Sequence, residues 1–318
     1  MKAFAEIIKA VDLGQCERAE AEAALVISSY LDSSYPFTDP AEPADLHQTL
    51  RQAYVSARLG DLPLALARES AGIGQDAKLY LVPSVKQLLA PTWAELEQRA
   101  AAGATVYVSY CAGTTSRHPG PSYGRLNSMF GVEHQLRAGL PDPIDSDTVT
   151  FRFQRDFGSL RSGDTLTFAV AGTEYSRSYL PVHPAGADVL ASDDHGRPAL
   201  LLRQTGDGSL ILCTYPIEHM AARTPAVNPE PTGALYDALA THAGVRRPVL
   251  TGDPLVAADV LLRADGEAFA WFVSQADEPV TITPVVTAGL QLAALDGTGP
   301  LAESVSLAPF GVAVRRLL

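Results

Sequence analysis

The sequence predicts an α/β protein in which a doubly wound open sheet is followed by a small all-β sandwich. Three observations carry this. Helix-period runs and apolar strand-like runs alternate up to about residue 110, and the strand runs are apolar on both faces, as in a parallel sheet covered by helices. Beyond about Asp145 the pattern becomes β-rich, and beyond Arg246-Arg247-Pro248 it is almost all short strands. The composition supports real cores: 318 residues leave room for about two or three domains, 47% belong to the AVILMFWYC set and 19% are charged, which excludes a largely disordered chain.

The elements follow in order. Apolar residues at Phe4, Ile7, Ile8 and Val11 have helical spacing, and Gly14 closes that helix. Ala23 to Tyr30 is a buried-strand run, and Asp32 to Pro40 is a loop by its turn chemistry. Asp45 is expected to cap a helix over Leu46 to Arg58. Leu62 to Ala67 and Lys78 to Pro83 are further strand runs. Thr92, with Glu95 in the capping-box position, is expected to start a helix that ends at Gly103, and Ala104 to Tyr110 is the next strand. In such sheets ligands sit beyond the C-terminal strand ends, here Tyr30 to Pro40, Val82 to Leu88 and Cys111 to Tyr123. Thr148 to Phe153 and Thr165 to Val170 alternate as strands. Ala199 to Arg203 and Leu210 to Tyr215 form a hairpin around Asp207-Gly208, and a helix runs from Thr232 to His242. In the last part, Val256 to Arg263, Ala268 to Ser274, Val280 to Pro284, Gly289 to Leu292 and Gly311 to Leu317 are strands, with Asp265-Gly266 and Asp296-Gly297 as hairpin turns. The expected organisation is a helix at 1–14, an α/β domain at 15–247 with a β-rich insertion near 145–195, and an antiparallel sandwich at 248–318.

Charge excludes some partners. The formal net charge of −12 argues against nucleic acid and against an anionic membrane surface. No run of 18 apolar residues occurs, and the N-terminus lacks a signal-peptide core. Cys16, Cys111 and Cys213 stand in isolation, which implies reduced thiols without a disulfide framework or a metal-finger spacing. The expectation is a cytoplasmic chain with no metal and no cofactor.

The order of segments resembles the C-terminal half of family-42 beta-galactosidases and related family-5 mannosidases or cellulases. The residues that carry the resemblance are Ala24-Leu25-Val26-Ile27, Lys78 to Pro83, Leu96 to Tyr110, Gly196 to Leu200, Gly206 to Thr214 and Pro309-Phe310-Gly311-Val312. The resemblance implies a flavodoxin-like, class I glutamine amidotransferase-like trimerisation domain followed by a β-sandwich. It also implies a partner, either carbohydrate or a catalytic TIM barrel, and a homo-oligomer, with a trimer as one form. In those enzymes the catalytic carboxylates sit on the barrel, which needs roughly 250 residues of its own. This chain has no room for one, and its first helix would match the barrel's last. The implied function is that of a non-catalytic accessory and oligomerisation region that shapes the barrel mouth.

Ser109-Tyr110-Cys111-Ala112-Gly113 resembles the G-x-C-x-G elbow of class I amidotransferases, with Ser109 in place of the first glycine. A thiolate at a strand–helix turn, with backbone N–H groups nearby, is what such a nucleophile needs. His219 would be its base and Glu218 the group that orients it, although the amidotransferase pattern there is His-Pro-Glu. The other reading makes Cys111 a small apolar residue at a strand end. Tyr35, Phe37, Arg117, His118, Tyr123 and Arg125 lie in loops suited to a sugar or a neighbouring subunit. Asn228 and Glu230, before the last α/β helix, would face a barrel or simply shape the start of that helix. Asp193-Asp194-His195 has metal-ligand residue types in a turn, and His183 stands similarly in Pro181-Val182-His183-Pro184; solvated turns are the simpler reading. Trp271 and Phe269 share one face of a strand as a sugar platform or as sandwich core, and Trp93 reads as packing. Three functions thus remain open: the accessory region, a stand-alone Cys hydrolase, and a carbohydrate-binding module.

Overall fold

The computed structural model describes residues 2–32, 42–74, 76–111, 125–135, 142–171, 177–222, 228–295, 301 and 303–318. The chain divides into two compact units, one of Glu22–Ala57 and Leu64–Val245, the other of Met1–Ala21, Arg58–Pro63 and Arg246–Leu318. In chain order the first elements, α1 (Lys2–Val11) and β1 (Cys16–Arg18), fall in the second of these and are taken up with it below.

The larger unit opens with β2 (Ala23–Ile27), α2 (Glu42–Leu59), β3 (Ala65–Arg68), β4 (Leu79–Val82), α3 (Ala90–Ala101) and β5 (Thr105–Ser109). Then come α4 (Leu126–Phe130), β6 (Val132–His134), β7 (Asp142–Pro143), β8 (Thr148–Phe153), β9 (Thr165–Ala169), β10 (Ser178–Tyr179) and β11 (Val182–Pro184). The unit ends with β12 (Asp188–Ser192), β13 (Pro198–Thr205), β14 (Gly208–Cys213), α5 (Ile217–Ala221) and α6 (Pro229–His242).

These strands build a nine-stranded sheet in the order β3-β2-β4-β5-β14-β13-β12-β8-β9. The first five are parallel, and the strands from β13 onward are antiparallel. The sheet is therefore mixed, and the β-rich stretch near 145–195 adds β8, β9 and β12 to it. Both faces of the parallel part are covered. Val106 and Val108 pack with Leu96, Ala100, Met129 and Phe130 on one face, while Tyr107 meets Tyr236 of α6 edge-on at 5.9 Å on the other.

Two helix starts differ from the sequence expectation. Helix α3 begins at Ala90, with Leu89 in the capping position and Pro91 in its first turn. Proline's fixed φ favours the first turn, so the start moves ahead of Thr92, which lies buried inside, and Glu95 pairs with Arg99 instead of closing a capping box. Helix α2 begins at Glu42, so Asp45 is inside it, and its carbonyl accepts the Thr49 hydroxyl.

The β13–β14 hairpin returns the chain to the parallel strands and sets its turn against α3. Gly206 has φ +58°, and a Cβ there would lie 2.2 Å from the Ala101 carbonyl oxygen. A Cβ at Gly208 would lie 2.1 Å from that of Ala104. Only hydrogen fits at these contacts.

The smaller unit adds β15 (Val249–Leu250), β16 (Val256–Arg263), β17 (Ala268–Ser274) and β18 (Val280–Ile282). It is completed by β19 (Val285–Val286), β20 (Leu292–Ala293), β21 (Val305–Leu307) and β22 (Val312–Leu317). A sheet β1-β16-β17-β22-β20 packs Val260, Ala270 and Phe272 against Ile282, Val305 and Leu307 of the β18–β21 ribbon. Asp265-Gly266 turns β16 into β17, with Gly266 at φ +92°, whereas Asp296-Gly297 lies outside the described residues. Residues 1–14, set apart by the sequence reading, are built into this unit: Ile7 and Val11 pack with Phe269, Trp271 and Val314. Among the described residues no helix is long and apolar enough to cross a membrane.

Gly206→Ala is expected to lower stability by about 2–3 kcal/mol, through overpacking and a left-handed backbone. Gly163→Ala, where φ is +95° and nothing lies within 4 Å of the added methyl, should lose about 1 kcal/mol. Urea denaturation of the two variants measures the difference.

Candidate functional site

Parallel strands β4, β5 and β14 are neighbours, so the residues just past their C-terminal ends converge. Those residues are Ser84 after β4, Cys111 after β5, and Glu218 and His219 in α5 after β14. Glu218 is fully buried. Its Oε2 accepts the Ser109 hydroxyl at 2.6 Å and, more distantly, the Ser84 hydroxyl at 3.5 Å. Its Oε1 accepts the phenols of Tyr236 at 2.8 Å and Tyr107 at 3.0 Å. Ser84 itself sits at φ +40°, and its N–H donates to Ser109 Oγ at 2.7 Å, so a buried strained turn is tied into the same cluster.

Burial raises the Glu218 pKa, and the hydroxyl bonds oppose that rise without cancelling it. Burial also holds the Tyr107 and Tyr236 phenols well above their usual range, so both remain donors. Cys213 beside them is raised in the same way, and its thiol donates to the Tyr215 carbonyl at 3.4 Å. It is an inert thiol, not a thiolate.

His219 is buried, with Nδ1 3.2 Å from Thr49 Oγ1. That hydroxyl donates to the Asp45 carbonyl at 2.9 Å, so it accepts from the ring, and Nδ1 carries a proton. Cys111 is 2% exposed. The structure thus places Cys111, His219 and Glu218 at one end of the sheet. The oxygens of Glu218 are committed to hydroxyls, and Nδ1 of His219 is committed to Thr49. Sequence reasoning missed Ser84, Tyr107, Tyr236 and Thr49, and read Ser109 only as the residue in place of the elbow's first glycine. The signal present was hydroxyl groups in a strand apolar on both faces, Thr105-Val106-Tyr107-Val108-Ser109.

The other candidates are placed as follows. Tyr35, Phe37, Arg117, His118 and Tyr123 lie outside the described residues. Arg125 precedes α4 and pairs with Glu97 at 2.9 Å. Asn228, at φ +56°, clamps the end of β9 through both amide atoms, accepting from Ala169 N at 2.6 Å and donating to Ala169 O at 2.8 Å. Glu230 is exposed in the first turn of α6. The Asp193 turn is structural: its carboxylate accepts the Tyr215 phenol and Arg197 Nε, each at 2.6 Å, and the Arg197 guanidinium lies over Tyr179. Burial acts to raise the Asp193 pKa, but those donors together hold it below its usual value. Among the described residues no group of three or more His, Cys, Asp or Glu is arranged to hold a metal. His183 is exposed on β11 next to Gln135, Trp93 is a buried core residue of α3, and Trp271 packs in the cluster formed with α1.

Similar proteins are found by structure. No family profile and no curated protein matches the sequence. The beta-galactosidase of Bacillus circulans sp. alkalophilus aligns at TM-score 0.66 and 15% identity, over 94% of this chain and 42% of that one. A catalytic mutant of Gan42B, a GH42 beta-galactosidase from G. stearothermophilus, aligns at TM-score 0.67 and 17% identity, over 94% and 40%. Alpha-L-fucosidase isoenzyme 2 from Paenibacillus thiaminolyticus aligns at TM-score 0.66 and 10% identity, over 99% and 51%. The likeness is one of fold, and the chain spans about two fifths to a half of the length of these solved chains.

Glu218→Ala should lower stability by about 3 kcal/mol or more, because it leaves three buried hydroxyls without their acceptor, and Tyr236→Phe should cost about 1–2 kcal/mol. Because the folded-state pKa of Glu218 is raised, its contribution is complete below the unfolded value near 4.5 and declines as pH rises through the folded value. Urea midpoints measured from pH 4 upward should therefore fall more steeply in the parent than in Glu218→Gln.

Proposed function

We propose that this chain is a non-catalytic accessory and oligomerisation region of a glycoside hydrolase of the beta-galactosidase, mannosidase or cellulase type. It shapes and seals the mouth of a catalytic barrel that is not part of these 318 residues. The observation that carries this reading is the fold match. Glycoside hydrolases share the fold across 94–99% of this chain, while the chain accounts for only 40–51% of theirs. Taken in chain order, the parallel strands β3-β2-β4-β5-β14 run second, first, third, fourth, fifth, the flavodoxin-like order, which supports the amidotransferase-like part of the reading.

The chemistry at the strand ends supports a scaffold. A working nucleophile needs a base held by a third group, and Glu218 is spent on the hydroxyls of Ser109, Tyr107 and Tyr236. The loops that carry Tyr35, Phe37, Arg117, His118 and Tyr123, with Arg125 beside them, are assigned to contact with sugar or a neighbouring subunit in a homo-oligomer, a trimer being the expected form. Exposed Glu230 is assigned to the barrel side. The purified chain should release aryl β-galactosides and β-mannosides at no more than the background rate. Enzyme-level turnover would remove the proposal.

One observation favours a second reading, a Cys hydrolase. Cys111 follows β5 and His219 follows β14, and these two strands are parallel neighbours. The scaffold reading expects iodoacetamide to alkylate Cys111 no faster than a model thiol. Faster alkylation, together with release of ammonia from glutamine that Cys111→Ala abolishes, would transfer the assignment to the hydrolase.

A further inference from the structure

We propose that the smaller unit carries a binding site for an apolar amine, in a pocket over β16, β17 and β22. The inference stands on this unit's own residues and does not depend on the glycoside hydrolase reading. The pocket holds about 430 Å³, a size common for small-molecule sites. Its space comes from a small residue in a row of large ones. Ala268 on β17 pairs in register with Leu262 on one side and Leu317 on the other, so one short side chain leaves a gap between two long ones. Val249, Val260 and Leu290 complete an apolar floor.

The charged groups at the pocket separate into committed and uncommitted ones. Asp61 accepts from Thr251 N at 2.7 Å, Thr251 Oγ1 at 2.9 Å and Gly252 N at 3.2 Å, so both its oxygens are engaged. Asp259 is paired with Arg18 at 3.1 Å and Arg58 at 3.8 Å. Arg246 is engaged as well. Glu20, exposed at the rim, makes no hydrogen bond or ion pair among the described residues. An apolar floor beneath one uncommitted carboxylate fits a molecule with an apolar body and an ammonium end. The net charge of −12 raises the local concentration of such cations.

Calorimetric titration with 4-phenylbutylamine, 4-phenylbutanol and 4-phenylbutanoate at pH 7.5 tests this, since the three share a body and differ in the end group. The amine should bind about fivefold more tightly than the alcohol, and the acid most weakly. Glu20→Gln should bring the amine down to the affinity of the alcohol and leave the alcohol unchanged. Ala268→Leu should weaken all three by filling the gap. The proposal is overturned if none of the probes binds, if amine and acid bind equally, or if Glu20→Gln keeps the preference. Should Ala268→Leu fail to fold, as circular dichroism would show, the exposed Glu20→Gln change still decides.

Discussion

A buried carboxylate without a cation is the constraint around which the larger unit is organised. Taking an ion out of water costs several kcal/mol, and among the described residues no lysine or arginine bonds to Glu218. What offsets the loss is a set of hydroxyl donors from different elements: Ser109 and Tyr107 from β5, Tyr236 from α6, and Ser84 from the turn after β4. Hydrogen bonds to a charged acceptor contribute about 1.5–3 kcal/mol each, so the set is of the same order as the cost. Each donor is useful only if its element is in register, and the carboxylate therefore ties β4, β5, α5 and α6 into one arrangement.

That arrangement depends on the way β14 is inserted. It runs parallel to β5, with Cys213 opposite Ser109, and antiparallel to β13, so it is the strand at which the sheet changes character. The close approach of Gly206 and Gly208 to Ala101 and Ala104 sets the hairpin against the end of α3. This registers β14 so that the chain leaves it directly into α5, with Glu218 beneath and His219 against Thr49. Ser109 and Tyr107 lie two positions apart on β5 and so share one face of the strand, which is why both reach the same carboxylate.

The strand ends of such a sheet are where chemistry usually resides, and three titratable groups gather there. Glu218 and its neighbours interact as in a packed core. The Cys213 thiol is held protonated, the phenols act only as donors, and the imidazole donates into the backbone-anchored Thr49. The smaller unit differs at its pocket, where exposed Glu20 at the rim makes no hydrogen bond or ion pair among the described residues.

Periodicity and turn chemistry are local, so the sequence by itself determined the alternation of helices and strands, the hairpin around Asp207-Gly208, the β-rich second half and the final sandwich. It also singled out Cys111, Glu218 and His219 by residue type and by their places after strands. It could not show what these residues touch. Ser109 and Glu218 are 109 positions apart, Ser84 and Glu218 134, and Thr49 and His219 170. Such partners are chosen by the spatial order of the strands, which no short window of sequence encodes. The same holds for the antiparallel half of the large sheet and for the packing of the first helix on the sandwich: an apolar stripe says that a face is covered, and only tertiary structure decides by what.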